Sequence, residues 1–185
     1  LDPGIYYAKE TGDTLGRFND EYWLIDKTVY RFEIKPQEET TATFSNTHYG
    51  TLKIRKTMDT DGPLDGWQFR VTDASGKEIT GSPFTSDKNG EIHVGNILPG
   101  VYKIEELIPN DSLYYCKSEN PQTVTVKQGE TTEVSFTNAL RPGKLTIEKL
   151  DLNGEHLAGA KFLLEWSEDG SLWWPIEYSD SKDVI

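Results

Sequence analysis

The sequence has one cysteine, Cys116, one methionine and three histidines in 185 residues. A lone cysteine cannot close an internal disulfide, so an exported chain of this composition must draw its robustness from another source. Basic charge is also scarce: nineteen Lys and Arg stand against thirty-one Asp and Glu, a formal net charge of -12. That balance repels phosphate backbones and anionic headgroups and argues against nucleic acid or a membrane surface as partner. No apolar run is long enough to span a bilayer, and no signal-peptide or sorting pattern is present, so any such segment is expected outside these residues. His48, His93 and His156 lack metal-ligand spacing; neither metal nor other cofactor is expected. A Gly-rich phosphate loop, a nucleophile elbow and a Cys/His arrangement are missing too, so the sequence does not read as that of an enzyme.

What is present is short-range alternation. Apolar and polar residues alternate over Lys53–Lys56, Gln68–Thr72, Gln122–Val126 and Glu133–Thr137. Turn chemistry separates such runs, at Asn89-Gly90, Asp73-Ala74-Ser75-Gly76 and Asn153-Gly154. Long amphipathic helical patterns are absent. The expectation is an all-β protein of short strands in immunoglobulin-like β-sandwich domains.

Internal repetition gives the organisation. GTLKIRK from Gly50 recurs as GKLTIEK from Gly143, and Gly50, Leu52, Ile54, Lys56, Leu64, Gly66 and Phe69 match Gly143, Leu145, Ile147, Lys149, Leu157, Gly159 and Phe162 at a constant offset of 93. Near the start, Pro3, Gly4, Tyr6 and Glu10 answer Pro99, Gly100, Tyr102 and Glu106 at an offset of 96. Phe44 and Asn46 answer Phe136 and Asn138 at an offset of 92. Residues 1–49 therefore read as the C-terminal half of a repeat, 50–142 as a complete unit and 143–185 as the N-terminal half of a further one. Two accounts fit: a stretch cut from a longer tandem array, or halves that complete one another between copies, as in donor-strand assembly.

Three residues of the complete unit carry potential chemistry. Lys56 shares a strand face with Leu52 and Ile54, Glu106 shares one with Tyr102 and Ile104, and Asn138 shares one with Phe136. If those apolar faces point inward, an amine, a carboxyl and a carboxamide are buried together. Burial of an unpaired charge is costly, so it favours the neutral forms of such groups. A neutral amine is a nucleophile, and a protonated carboxyl can polarise a carboxamide and shuttle protons. The expected product is a Lys–Asn amide plus ammonia, made once per domain because folding has already oriented the partners. A partly buried or solvated salt bridge is the simpler alternative. The repeats favour the bond, since they reproduce the lysine at Lys149 and the Glu/Asn pair at Glu10 and Asn46.

These residues resemble a known family, the Cna B-type or SpaA-type (prealbumin-like) domains of Gram-positive pilins and adhesin stalks. The resemblance is carried by GTLKIRKT and GKLTIEKLD, by LAGAKFLLE, by PGIYYAKET and PGVYKIEEL, and by the terminal FSNT and FTNA. It implies tandem prealbumin-like sandwiches, with Lys56 as amine donor, Asn138 as acceptor and Glu106 as the promoting carboxyl. It likewise implies that Glu10, Asn46 and Lys149 belong to two further bonds. Departures from the pattern include Trp67 in place of a small residue before the core Phe69, and the absence of the customary threonine and Ala-Pro after Glu106.

The expected function is a non-enzymatic stalk or backbone segment on a bacterial cell surface, in the cell wall or a pilus, with neighbouring domains or copies as partners. Short junctions at Thr47–Tyr49 and Ala139–Pro142 suit a spacer. The alternatives are an adhesin module for host matrix protein or glycan, using Trp166, Trp173 and Trp174 as a platform, and a fibre subunit that exchanges half-domains. Alternation makes Trp166 a core residue in the spacer reading. Asp59–Gly62 and Asp151–Glu155 resemble calcium loops but lack the distant glutamate, and are read as turns.

Overall fold

Strands form where the alternation lies. The computed structural model describes residues 1–12, 20–167 and 169–176. Parts of the expected terminal segments, 13–19, 168 and 177–185, lie outside the described residues. Among the described residues there is no helix, and the chain is all-β. Its strands are β1 (Gly4–Lys9), β2 (Trp23–Leu24), β3 (Val29–Ile34), β4 (Thr47–His48), β5 (Gly50–Met58), β6 (Gln68–Asp73) and β7 (Phe84–Thr85). They continue with β8 (Glu91–Ile97), β9 (Gly100–Glu106), β10 (Tyr114–Cys116), β11 (Gln122–Val126), β12 (Thr131–Leu140), β13 (Glu165–Trp166) and β14 (Trp174–Pro175).

The chain divides into two compact units, Leu1–Arg141 and Pro142–Ile185. Within the first, residues 50–140 build two four-stranded sheets, ordered β10-β12-β5-β8 and β11-β9-β6-β7. β5 and β12 run parallel, Thr51 opposite Thr131 through Met58 opposite Asn138; the other pairs are antiparallel. The inward residues alternate along each strand, as a half-buried pleat requires. Leu52, Ile54, Ile92, Val94, Val134 and Phe136 from one sheet close the core with Phe69, Val71, Tyr102, Ile104 and Val126 from the other. Phe69 and Phe136 meet at its centre, with ring centroids 5.1 Å apart.

Residues 1–49 reproduce part of this plan. β1 pairs with β3 with Gly4 opposite Ile34, as β9 pairs with β11 with Gly100 opposite Val126. The Tyr6 hydroxyl donates to Asp2 O at 2.8 Å, and the Tyr102 hydroxyl to Leu98 O at 2.7 Å. The inward residues Tyr6, Ala8, Tyr30 and Phe32 are only half-buried, because one hairpin supplies one layer. β4 pairs with β2, and the Tyr49 N–H donates to Tyr22 O at 2.9 Å.

The second unit departs from the sequence expectation in two places. Gly143–Lys149, the counterpart of β5, forms no strand, and Leu145 and Ile147 are exposed. β5 is held on one side by β12 and on the other by β8; the described residues of 143–176 supply neither neighbour. Trp166, expected in a core, is 51% exposed. It lies in the two-stranded β13–β14 ribbon, where it meets Trp174 ring to ring at 5.5 Å, and a lone ribbon has no facing layer to cover it. Asp151 Oδ1 accepts from the N–H groups of Asn153 and Glu155, which makes the calcium-like loop an Asx turn.

Candidate functional site

Lys56, Glu106 and Asn138 sit on three strands, β5, β9 and β12, drawn from both sheets. β5 and β12 are neighbours, with Lys56 opposite Phe136 and Asn138 opposite Met58, so the two residues that follow the apolar runs Leu52-Ile54 and Val134-Phe136 on the inward faces are diagonal neighbours. Glu106 ends β9 opposite Phe69 and faces them across the sandwich. The relative exposures are 1% for Lys56, 2% for Glu106 and 0% for Asn138.

The three side chains are in contact. Lys56 Nζ lies 3.4 Å from Glu106 Oε1, and Asn138 Nδ2 donates to the same oxygen at 2.8 Å. Lys56 Nζ also donates to Thr57 O at 2.9 Å. Glu106 Oε2 and Asn138 Oδ1 are buried without a hydrogen-bond partner. Burial holds the Lys56 amine below its usual value of 10.5; the Glu106 carboxylate opposes this without cancelling it. A buried ion pair gains little over an apolar pair of the same size, whereas loss of one partner costs about 3–5 kcal/mol. Such an arrangement is weak as a stabilising device and well suited to reaction between its members.

The surroundings fix these groups. The Asn120 amide bridges the backbone of Glu106, accepting from its N–H at 2.9 Å and donating to its carbonyl at 2.9 Å. It thereby supplies the ladder partner that β11, which begins at Gln122, does not reach. Gly90, at φ 75°, packs against the Lys56 carbonyl so closely that a Cβ would collide with it. On the outer face, the Thr57 and Thr137 hydroxyls are 2.8 Å apart and tie β5 to β12. Cys116, opposite Asn138 in the β10–β12 pair, borders the site. Burial pushes its thiol up to about 11, and Glu106 beside it adds to the effect. Trp67 covers Lys56, with Nζ 4.7 Å from the ring centroid.

The structure brings Glu10 and Asn46 together as well. Asn46 Nδ2 donates to Glu10 Oε1 at 2.8 Å, and Asn46 Oδ1 accepts from the Asp26 N–H at 2.9 Å. Glu10 Oε2 is buried without a partner, as Glu106 Oε2 is. Lys149 is exposed, in the second unit. Asn120, Trp67 and Cys116 escaped the sequence reasoning as members of the site. Trp67 alone left a signal, as a departure from the family pattern. Among the described residues no group of His, Cys, Asp and Glu could hold a metal, and no helix could cross a membrane.

A two-sheet sandwich whose parallel first and last strands bury a Lys/Glu/Asn trio defines a class of all-β domain. Residues 50–140 match the SpaA prealbumin-like fold domain family. Among solved structures, the chain is similar to a minor pilin of the Gram-positive pathogen Streptococcus agalactiae, at 21% identity and a TM-score of 0.46, over 80% of this chain and 65% of that one. A streptococcal ancillary pilin aligns at 21% identity and a TM-score of 0.45, over 95% of this chain and 57% of its own. The major pilin subunit BcpA of Bacillus cereus aligns at 21% identity and a TM-score of 0.42, over 62% of this chain and 35% of its own. The chain thus spans 65% or less of the length of these three proteins. No curated protein sequence matches it.

Proposed function

We propose that the chain is a non-enzymatic structural segment of a Gram-positive cell-surface stalk or pilus, locked by a self-made amide bond between Lys56 and Asn138. The observation that carries this reading is the buried contact of Lys56 and Asn138 with one oxygen of Glu106, at 3.4 and 2.8 Å. Transfer of the Lys56 ammonium proton to Glu106 gives a neutral amine and a carboxylic acid. The carboxyl then has a hydrogen to offer Asn138 Oδ1, an acceptor otherwise without a partner. The amine nitrogen attacks Asn138 Cγ; the Nζ–Cγ bond forms and the Cγ–Nδ2 bond breaks. Glu106 takes a proton from the former amine and returns one to Nδ2, which leaves as ammonia. Atoms balance as amine plus carboxamide giving substituted amide plus ammonia; the proton first taken from the Lys56 ammonium leaves with the ammonia as ammonium, and Glu106 returns to the carboxylate. The single cysteine fits an exported rod that resists reduction.

Intact mass of the denatured protein tests the proposal. The parent is expected one ammonia lighter than its sequence, and Lys56→Ala, Glu106→Ala and Asn138→Ala are each expected at full mass. A parent at full mass would remove the bond from the account.

Glu10 and Asn46 favour an extension of this reading, because they repeat the acceptor half of the site at the same 2.8 Å. Asn46 would accept an amine from a lysine strand of the GKLTIEK kind, and Lys149 would be such a donor for a neighbouring copy or segment. Denaturing gels of concentrated protein are expected to resolve joined chains that Asn46→Ala and Lys149→Ala abolish; single chains alone would restrict the chemistry to Lys56 and Asn138.

A further inference from the structure

Trp67 lies at the boundary between the buried amine and solvent. On its inner side the Lys56 Nζ is 4.7 Å from the ring centroid. On its outer side is an open groove of about 320 Å³, which Trp67 lines with Pro63, Leu107, Pro109 and Tyr114. The residue is anchored through both its ring and its backbone. Its Nε1–H donates to Pro63 O at 2.8 Å, its backbone N–H to Ser86 Oγ at 3.0 Å, and its carbonyl accepts from the Ser86 N–H at 2.9 Å. Buried Ser86 in turn donates to Leu64 O at 2.7 Å, and the Tyr114 ring meets the indole edge to face at 5.6 Å. The indole is thus fixed by Pro63 and Tyr114, and its backbone by Ser86.

We propose that Trp67 is a positioning residue for bond formation, a fixed cover that keeps water off the Lys56 amine and holds it against Glu106 and Asn138. The inference rests on the reaction proposed above and assigns it a further residue. Two effects of the indole oppose one another. Its π face attracts an ammonium ion and favours the charged form. Its bulk excludes water and favours the neutral form. At this site burial as a whole prevails, since the Lys56 amine sits below its ordinary value with burial as the leading cause, and the indole 4.7 Å from Nζ is part of what buries it. The titratable groups that face it are Glu106 on β9 and Cys116 on β10, and both favour the charged lysine. Without the indole, water from the groove would reach the ammonium and the reactive amine would become scarcer at neutral pH.

The test uses unreacted chain held in denaturant, refolded by dilution at a series of pH values, with ammonia loss followed by mass. At neutral pH, Trp67→Ala is expected to react about tenfold more slowly than the parent. Its rate should draw level as the pH nears 10.5, the ordinary lysine value. Trp67→Phe keeps an aromatic cover of smaller size and should fall between the two, which preserves the test if Trp67→Ala does not fold. A slowing equal at every pH would reduce Trp67 to a packing role, and unchanged rates in both variants would overturn the inference while leaving the bond intact. A parent that loses no ammonia would instead overturn the reaction itself and the role of Trp67 with it.

Discussion

Asn46 donates a hydrogen bond of 2.8 Å to Glu10, and nothing in the local sequence around either residue requires them to meet. They lie 36 positions apart, against 32 for Glu106 and Asn138, yet the contact has the same atoms and the same length. The pairing follows from where the hairpins place the strand ends. Glu10 follows β1 and Asn46 precedes β4, as Glu106 closes β9 and Asn138 lies within β12. The Glu–Asn contact is therefore a property of the backbone plan.

Covalent closure should dominate the stability of the complete domain. Lys56 and Asn138 are 82 positions apart, and cross-linking a loop of that length disfavours the unfolded chain by about 4.5 kcal/mol. Asn138→Ala is expected to lose roughly that much in guanidinium unfolding. Equal midpoints for parent and variant would mean that no cross-link is present.

Protonation of Lys56 gives stability a pH dependence that can be isolated in chains unable to form the bond. Burial depresses the folded-state value of this amine below 10.5, so the unfolded state holds more protons. The stability this group contributes is greatest above 10.5 and is lost as the pH falls through the depressed folded value. The gap in stability between Asn138→Ala and the double variant with Lys56→Met, in favour of the methionine, should therefore narrow as pH rises toward 10.5. A gap that is flat with pH, measured by urea titration, would contradict the depressed value.

Asn120 offers a separate handle on Glu106. Removal of its amide in Asn120→Ala leaves the Glu106 N–H and carbonyl to water at the domain edge, at a cost of about 1 kcal/mol. Ammonia release after refolding should slow as well, because the carboxyl is less firmly held. A variant with parental stability and parental rate would show that β9 alone fixes Glu106.

Cys116 should be inert in the folded protein. With its thiol at about 11, the thiolate is rare near neutral pH, and the side chain packs against the core. Iodoacetamide at mildly alkaline pH is expected to leave Cys116 unmodified until denaturant is added. Rapid alkylation of the folded chain would place the thiol in a more open setting.

The parts of this architecture that were legible in the sequence are those written in alternation and repetition. The alternation over Gln122–Val126 coincides with β11 to the residue; Lys53–Lys56 and Glu133–Thr137 mark the centres of β5 and β12. The inward positions of Lys56, Glu106 and Asn138 followed from the same period of two. Their contact distances did not, since these depend on how two sheets face one another. Asn120 and Cys116 were hidden for the same reason, and Trp67 showed only as a departure from the family pattern: each reaches the site from a loop or an edge strand whose route alternation does not encode. Gly143–Lys149 shows the converse. Its Gly143, Leu145, Ile147 and Lys149 match Gly50, Leu52, Ile54 and Lys56 of β5, but a strand needs neighbours to hydrogen-bond, and pattern alone does not provide them.

The parallel pairing of β5 with β12 also determines how the domain answers to tension along the chain. A pull that enters at Gly50 and leaves at Leu140 runs along both strands in opposite senses, so the ladder from Thr51 beside Thr131 to Met58 beside Asn138 is loaded in shear, all rungs together, rather than peeled one at a time. A bond from Lys56 to Asn138 would carry that load directly from one strand to the other. Only Gly50 to Lys56 and Asn138 to Leu140 would then feel the pull, and the sheets between them would hang unloaded beside the line of force.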